Sequence, residues 1–309
     1  MTTSWQDILE QQKTLLTDTH SRSIASFMPL PQLGVLHVSG DEAQTFLQNL
    51  LTNDVNALSI NQSQLSGFCN AKGRLFAIFQ LIRRDSFYQI VLPKVMCSVL
   101  QLRLSMFVLR AKVTISDESE NMVCIGLSTQ NKAELEQVQL PVDILVDYEQ
   151  MNRHLLIGSI KQINELLPIL QEQQWGLASN TLWEQLDIKA GIPTIFPETK
   201  EKFTPQQVNL DLINGVSFNK GCYPGQEVVA RLHYLGKPSR RMFLAQATTA
   251  EPIRAADEIT TESGDIAGHV VRTHIKGDGI VLLLLSIKIS EHEKSLYIST
   301  SVPVIMITN

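Results

Sequence analysis

Lys220-Gly221-Cys222-Tyr223-Pro224-Gly225-Gln226-Glu227-Val228-Val229-Ala230-Arg231 is the stretch that decides how this chain is read. Gln226 to Leu232 has helical character, and Pro224 suits the first turn, where a missing N–H costs nothing. Cys222 therefore stands just ahead of a helix N-terminus, whose unsatisfied N–H groups and dipole favour a thiolate. Lys220 and Arg231 add positive charge nearby. Residues 220–241 hold five Lys/Arg against one acid, Glu227, a local charge of +4 in a chain of formal net charge −5. The plainer alternative is a buried thiol flanking a helix, with the basic residues on a solvated face. Gly221 and Gly225 weigh against it, because glycine lets a backbone approach a ligand closely.

Outward from this stretch the chain alternates short strands and helices. Leu65 to Asn70 and Leu75 to Arg83 read as strands around the turn Ala71-Lys72-Gly73-Arg74, and Phe87 to Leu92 as a third. Ala43, Phe46, Leu47, Leu50 and Leu51 fall on one helical face after the strand Gly34 to Gly40. Val95, Val99, Leu102, Met106 and Leu109 mark a further helix by their apolar spacing. Strands are expected at 112–116, 122–127, 143–146 and 154–157, with helices at 4–17, near 132–137, from Ile160, and from Thr181 to Ala190. Such blocks suit an α+β core with split β-α-β units. From Arg241 onward, β-like runs alternate with turns such as Ser263-Gly264-Asp265, the pattern of a small barrel. The expected division is 1–240 and 241–309.

Composition sets bounds on function. At 309 residues, 44% hydrophobic and 18% charged, the chain suits a folded protein of two or three lobes. Its net charge gives no bulk attraction to nucleic acid or an anionic membrane, so direct RNA binding is not expected. The longest aliphatic run, Ile280 to Leu285, is too short to span a bilayer, and residues 1–7 lack the pattern of a secretory signal. Cys69, Cys97, Cys124 and Cys222 form no CxxC pair and have no metal-ligand spacing, so no metal site is expected and a cytoplasmic location is. The first three have apolar neighbours and read as inert core thiols.

The quoted stretch resembles the signature of the YgfZ family of folate-binding proteins, relatives of the glycine-cleavage aminomethyltransferase. That signature is K-G-C-Y-x-G-Q-E followed by an apolar pair, Ala and Arg. Pro224 departs from the usual Thr, which removes a Thr-x-x-Glu capping box and should move the helix cap back to Tyr223. Further likeness lies in Val38-Ser39-Gly40-Asp41, Leu51-Thr52-Asn53-Asp54-Val55, Cys69-Asn70-Ala71-Lys72-Gly73-Arg74-Leu75, Ala190-Gly191-Ile192-Pro193 and Asn209-Leu210-Asp211. The resemblance implies a three-lobed aminomethyltransferase-like fold with ferredoxin-like β-α-β units and a C-terminal β-barrel.

It also implies tetrahydrofolate or another reduced folate in a central channel. Trp183 stands where the family carries a tryptophan implicated in folate contact, and Leu33 stands at a second contact position that is usually larger. For Trp183, core packing is the competing explanation. Arg231, Lys237 and Arg240 are candidates for the rim that meets the folate's anionic tail. In the aminomethyltransferases an aspartate follows the corresponding hairpin glycine, whereas Gly73-Arg74-Leu75-Phe76-Ala77 carries no carboxylate, and an apolar side chain cannot act as a base there. Three functions follow in order of preference. The first is a folate-dependent factor maintaining iron–sulfur proteins, such as tRNA-modifying enzymes, with Cys222 as the working thiol. The second is a one-carbon transferase, and the third an RNA-binding accessory protein.

Overall fold

The computed structural model describes residues 4–13, 25–129, 135, 145–148, 152–299 and 301–307. The first lobe grows from the hairpin of β3 (Ser63–Cys69) and β4 (Leu75–Arg83). Asn70 closes its turn by accepting hydrogen bonds from the backbone N–H groups of Lys72 (2.9 Å) and Arg74 (3.1 Å). Gly73 supplies the positive φ of 70° that the turn requires. With β2 (Leu33–Ser39), β5 (Phe87–Pro93) and β6 (Thr114–Asp117) the hairpin forms a sheet of order β3-β4-β5-β2-β6. Helices α2 (Ala43–Leu50) and α3 (Lys94–Val108) cover one face, burying Phe46, Leu47, Leu50, Met96, Leu100 and Leu104 in one core.

A second sheet joins β1 (Ser26–Pro29), β7 (Met122–Ser128), β8 (Leu145–Tyr148), β9 (Arg153–Ser159) and β10 (Gly176–Leu177) in the order β10-β1-β7-β9-β8. Helices α1 (Trp5–Lys13) and α4 (Ile160–Glu172) pack on it through Trp5, Ile8, Ile163, Leu166 and Leu170. A capping box of Ser159 and Gln162 starts α4, satisfying N–H groups that a helix start leaves open. Helix α5 (Asn180–Lys189) follows β10. The third lobe is a closed six-stranded barrel of β11 (Arg240–Thr248), β12 (Glu258–Thr261), β13 (Ile266–Gly277), β14 (Ile280–Lys288), β15 (Leu296–Ile298) and β16 (Val302–Met306). Closure leaves no strand edge open to another chain. Among the described residues no helix is long and apolar enough to cross a membrane.

The helix expected from Val95, Val99, Leu102, Met106 and Leu109 is present as α3; Val99 packs partly on the core and the other four are exposed, while Met96, Cys97, Leu100 and Leu104 are buried. Helix α3 is apolar on both sides, so spacing alone cannot choose its inner face. The helix of the quoted stretch, α6 (Gln226–Tyr234), is capped by Gly225 at φ 78° and not by Tyr223. Glycine tolerates that left-handed conformation, and a side chain there would strike Asn70 O and the Gly73 backbone. The helix expected near 132–137 lies outside the described residues except for Leu135, and the strand expected at 143–146 is described from Leu145 onward.

Candidate functional site

Where the three lobes meet, they line a half-open cavity of about 510 Å³. The first sheet supplies Leu33, Leu65, Ile78, Phe79 and Val91 to its wall, the second sheet supplies Leu155, and the barrel supplies Arg272. Helix α5 contributes Trp183, Glu184 and Asp187. Leu33 and Trp183, far apart in sequence, thus share one cavity. Trp183 is only 3% exposed and belongs to a buried cluster with Met28, Val35, Ile82 and Val91. Core packing, the competing explanation for this residue, is therefore what the structure shows, and the same side chain also lines the cavity. Room for its indole comes from Gly126 on β7, where any Cβ would collide with the ring. The Arg153 guanidinium also lies over this ring, 4.7 Å from its centroid.

Behind Trp183 sits a polar cluster without an obvious signal in the sequence. Asp187 accepts hydrogen bonds from Arg153 Nη1 at 2.8 Å and from Arg272 Nη1 at 3.1 Å. Arg153 is 1% exposed, so burying its charge depends on such a partner. Arg272 also donates to Thr194 Oγ1 at 3.0 Å. Glu184 lies one residue from Trp183 and is partly exposed, with His274 Nδ1 3.5 Å from its Oε2. Asp187 is one helical turn beyond Trp183, a spacing that places both on one face of α5. That spacing is the local trace of the cluster in the sequence. Arg153 and Arg272 come from distant strands and leave no local trace. Arg231, Lys237 and Arg240 do not line the cavity, and the cation at its mouth is Lys94.

The quoted stretch forms a separate loop, none of whose residues lines the cavity. Lys220 is buried and donates to three backbone oxygens, Gln48 O (2.6 Å), Leu51 O (2.6 Å) and Asn53 O (3.0 Å). These carbonyls lie at or just past the C-terminal end of α2, which a lysine ammonium suits with its three donors. Its charge is thus spent on α2 and not on Cys222. Burial pushes the Lys220 ammonium down to about 8, with Asp54 opposing. Thr52 and Asn53 tie the same place to the preceding segment, donating to Gly215 O and Asn214 O at 2.7 Å each.

Tyr223 is buried, its hydroxyl has no hydrogen-bond partner among the described residues, and burial raises its pKa. Gly221 is exposed, and a side chain there would meet nothing within 4 Å. Gln226 Nε2 reaches back to Lys220 O at 3.4 Å, while Glu227 and Arg231 are exposed on α6. Cys222 is exposed, whereas Cys69, Cys97 and Cys124 are buried. Burial pushes those three thiols up to about 12, 11 and 12 respectively. At neutral pH the loop therefore presents an accessible thiol, and the core thiols are held protonated.

Three comparisons place these features. No protein-family model matches the chain. The tRNA-modifying protein YgfZ of Colwellia psychrerythraea is 30% identical over 289 residues, covering 85% of this chain and 88% of that protein. Its namesake from Edwardsiella ictaluri is 31% identical over 265 residues, covering 80% of each chain. The glycine cleavage aminomethyltransferase T of Bartonella henselae has the same fold, with a TM-score of 0.74 at 16% identity over 98% of this chain and 88% of that one. With the identity sustained over most of both lengths, the chain belongs to the YgfZ family.

Proposed function

We propose that the chain binds a reduced folate in the three-lobe cavity and serves the upkeep of iron–sulfur proteins, including enzymes that modify tRNA, with Cys222 as its working thiol. The observation that carries the reading is the meeting of Leu33 and Trp183 in one cavity of about 510 Å³ with mostly apolar walls. A flat, polar-edged pterin fits such a space, which lies within the usual range for small-molecule sites. Residues on hand suit each part of it. Trp183, Leu33 and Val91 offer apolar contact, the Glu184 carboxylate can accept from the donor edge of the ring, and Lys94 at the mouth suits an anionic tail. When bound, the folate supplies one-carbon or redox chemistry, and the protein's part is to hold and orient it.

Aminomethyl transfer by this chain does not fit the reading. Phe76 and Ala77 are buried and apolar on β4, and no carboxylate stands there to handle an amine. The names of the relatives support a link to tRNA modification, which an iron–sulfur client explains without RNA contact.

Fluorescence titration with tetrahydrofolate tests the cavity. Saturable quenching with a Kd on the order of micromolar is expected, lost in Trp183→Ala. Absence of a saturable signal by fluorescence and calorimetry would remove the folate from the proposal. For the thiol, Cys222→Ser in a strain lacking the native protein should lower iron–sulfur enzyme activity and tRNA thiolation at unchanged protein level. Full complementation would show that the loop acts through its glycines and its turn.

A further inference from the structure

The two acids of α5 that line the cavity differ in what they have left to offer a ligand. Asp187 is fully engaged, with one carboxylate oxygen on Arg153 and the other on Arg272. Glu184 lies three residues earlier on the same helical face and accepts no hydrogen bond from any described side chain. Its own side chain is 35% exposed, in the cavity wall. The charged or titratable group beside it is His274, whose Nδ1 stands 3.5 Å from Glu184 Oε2. That separation exceeds a direct hydrogen bond, so the imidazole restrains the carboxylate without using up its acceptor capacity. His274 itself is buried and does not line the cavity. Arg272 and His274 are two residues apart on β13, paired without a bulge between them to Leu284 and Leu282, so they share one face of the strand. Helix α5 thus meets the barrel through two rungs, Asp187 on Arg272 and Glu184 on His274. The first is closed, and the second opens on the cavity.

We infer that His274 is a positioning residue for the cavity's ligand: from behind the wall it fixes the Glu184 carboxylate, which then accepts from N–H donors on the edge of a bound heterocycle. The inference deepens the folate reading and rests on it, since a pterin edge carries such donors. A partly exposed glutamate has many rotamers, and ordering it only when a ligand arrives costs affinity. A buried ring on a strand removes much of that cost in advance. Histidine suits the task, because an imidazole with its proton on Nδ1 donates toward the carboxylate whether the ring is neutral or charged. The competing role is a plain clasp between helix and barrel. Asp187 and Arg272 already supply that clasp at 3.1 Å, next to which a contact of 3.5 Å adds little.

The test is a double-mutant cycle on the full chain, read by calorimetry with tetrahydrofolate. His274→Phe keeps a ring and removes both nitrogens, and it should weaken binding about tenfold at an unchanged melting temperature. Glu184→Gln should weaken binding at least as much, and adding His274→Phe to it should cost nothing further. His274→Gln restores a donor and should regain most of the affinity. If His274→Phe does not fold, His274→Leu takes its place in the cycle. Unchanged affinity in His274→Phe overturns the inference, as do losses that multiply in the double variant, because the histidine then does not act through Glu184. Isocytosine, a single ring with the same donor edge and no anionic tail, separates this inference from the folate reading. If isocytosine binds with the same cycle and tetrahydrofolate does not, the folate reading falls and the role of His274 stands. If neither binds the native protein, both fall.

Discussion

The cavity draws Leu33, Trp183 and Arg272 from three lobes, whereas the Cys222 loop is one continuous segment anchored by Lys220 at one end and Gly225 at the other. Shape in the cavity depends on how lobes sit against each other, so distant substitutions reach it. Shape in the loop depends on backbone contacts with α2 and the β3–β4 turn, so its chemistry can change while its geometry stays. A binding site built by assembly and a reactive site built by local anchoring should therefore respond differently to mutation.

Asp187→Ala should show the cavity's dependence most strongly. It leaves Arg153 and Arg272 without their shared carboxylate, and loss of one partner of a buried pair costs about 3–5 kcal/mol. Chemical denaturation would read this, and a loss under about 1 kcal/mol would mean that water replaces the carboxylate. Lys220→Met tests the loop's anchor. Three carbonyls lose their donor, for an expected cost of about 3 kcal/mol.

The native lysine also has a pH signature. Its folded pKa of about 8 lies below the ordinary lysine value, 10.5, so between these limits the unfolded chain binds more protons. The contribution of Lys220 to stability therefore rises as pH increases from about 8 to 10.5 and is flat below that window. Denaturation midpoints of native and Lys220→Met protein should move further apart only there, and parallel pH profiles would sink the assignment.

Gly126→Ala sharpens the comparison from within the cavity wall. The added methyl pushes Trp183, at a cost of about 2 kcal/mol typical of overpacking, and folate affinity should fall with it. Unchanged affinity would show that Trp183 serves the core and not the ligand. Cys222→Ser is the smallest change expected, within about 0.5 kcal/mol for an exposed side chain. Mass-spectrometric alkylation rates should rank Cys222 well above Cys69, Cys97 and Cys124. Slow labelling of Cys222 would overturn its role as the accessible thiol.

The contrast also explains which features are legible in the sequence. The loop is local, and its residues stand together in the sequence with their glycines and helix start. The barrel was legible for a similar reason, since its strands alternate with turn residues. Lys220 looked like a neighbour for Cys222, but its partners are carbonyls of a helix end some 170 residues earlier, a contact no spacing reveals. The Arg153–Asp187–Arg272 cluster was hidden for the same cause. On α3 the obstacle was different. Two apolar faces compete on one helix, and only packing decides which is turned inward.

Asp187 has one more consequence. Its two arginines come from β9 and β13, so a single carboxylate clasps α5, the second sheet and the barrel together. Swinging either of the latter away would break one of these two ion pairs, which opposes parting of the lobes at this point. Unfolding should likewise proceed in one step, because releasing one lobe removes the counter-charge that holds the next.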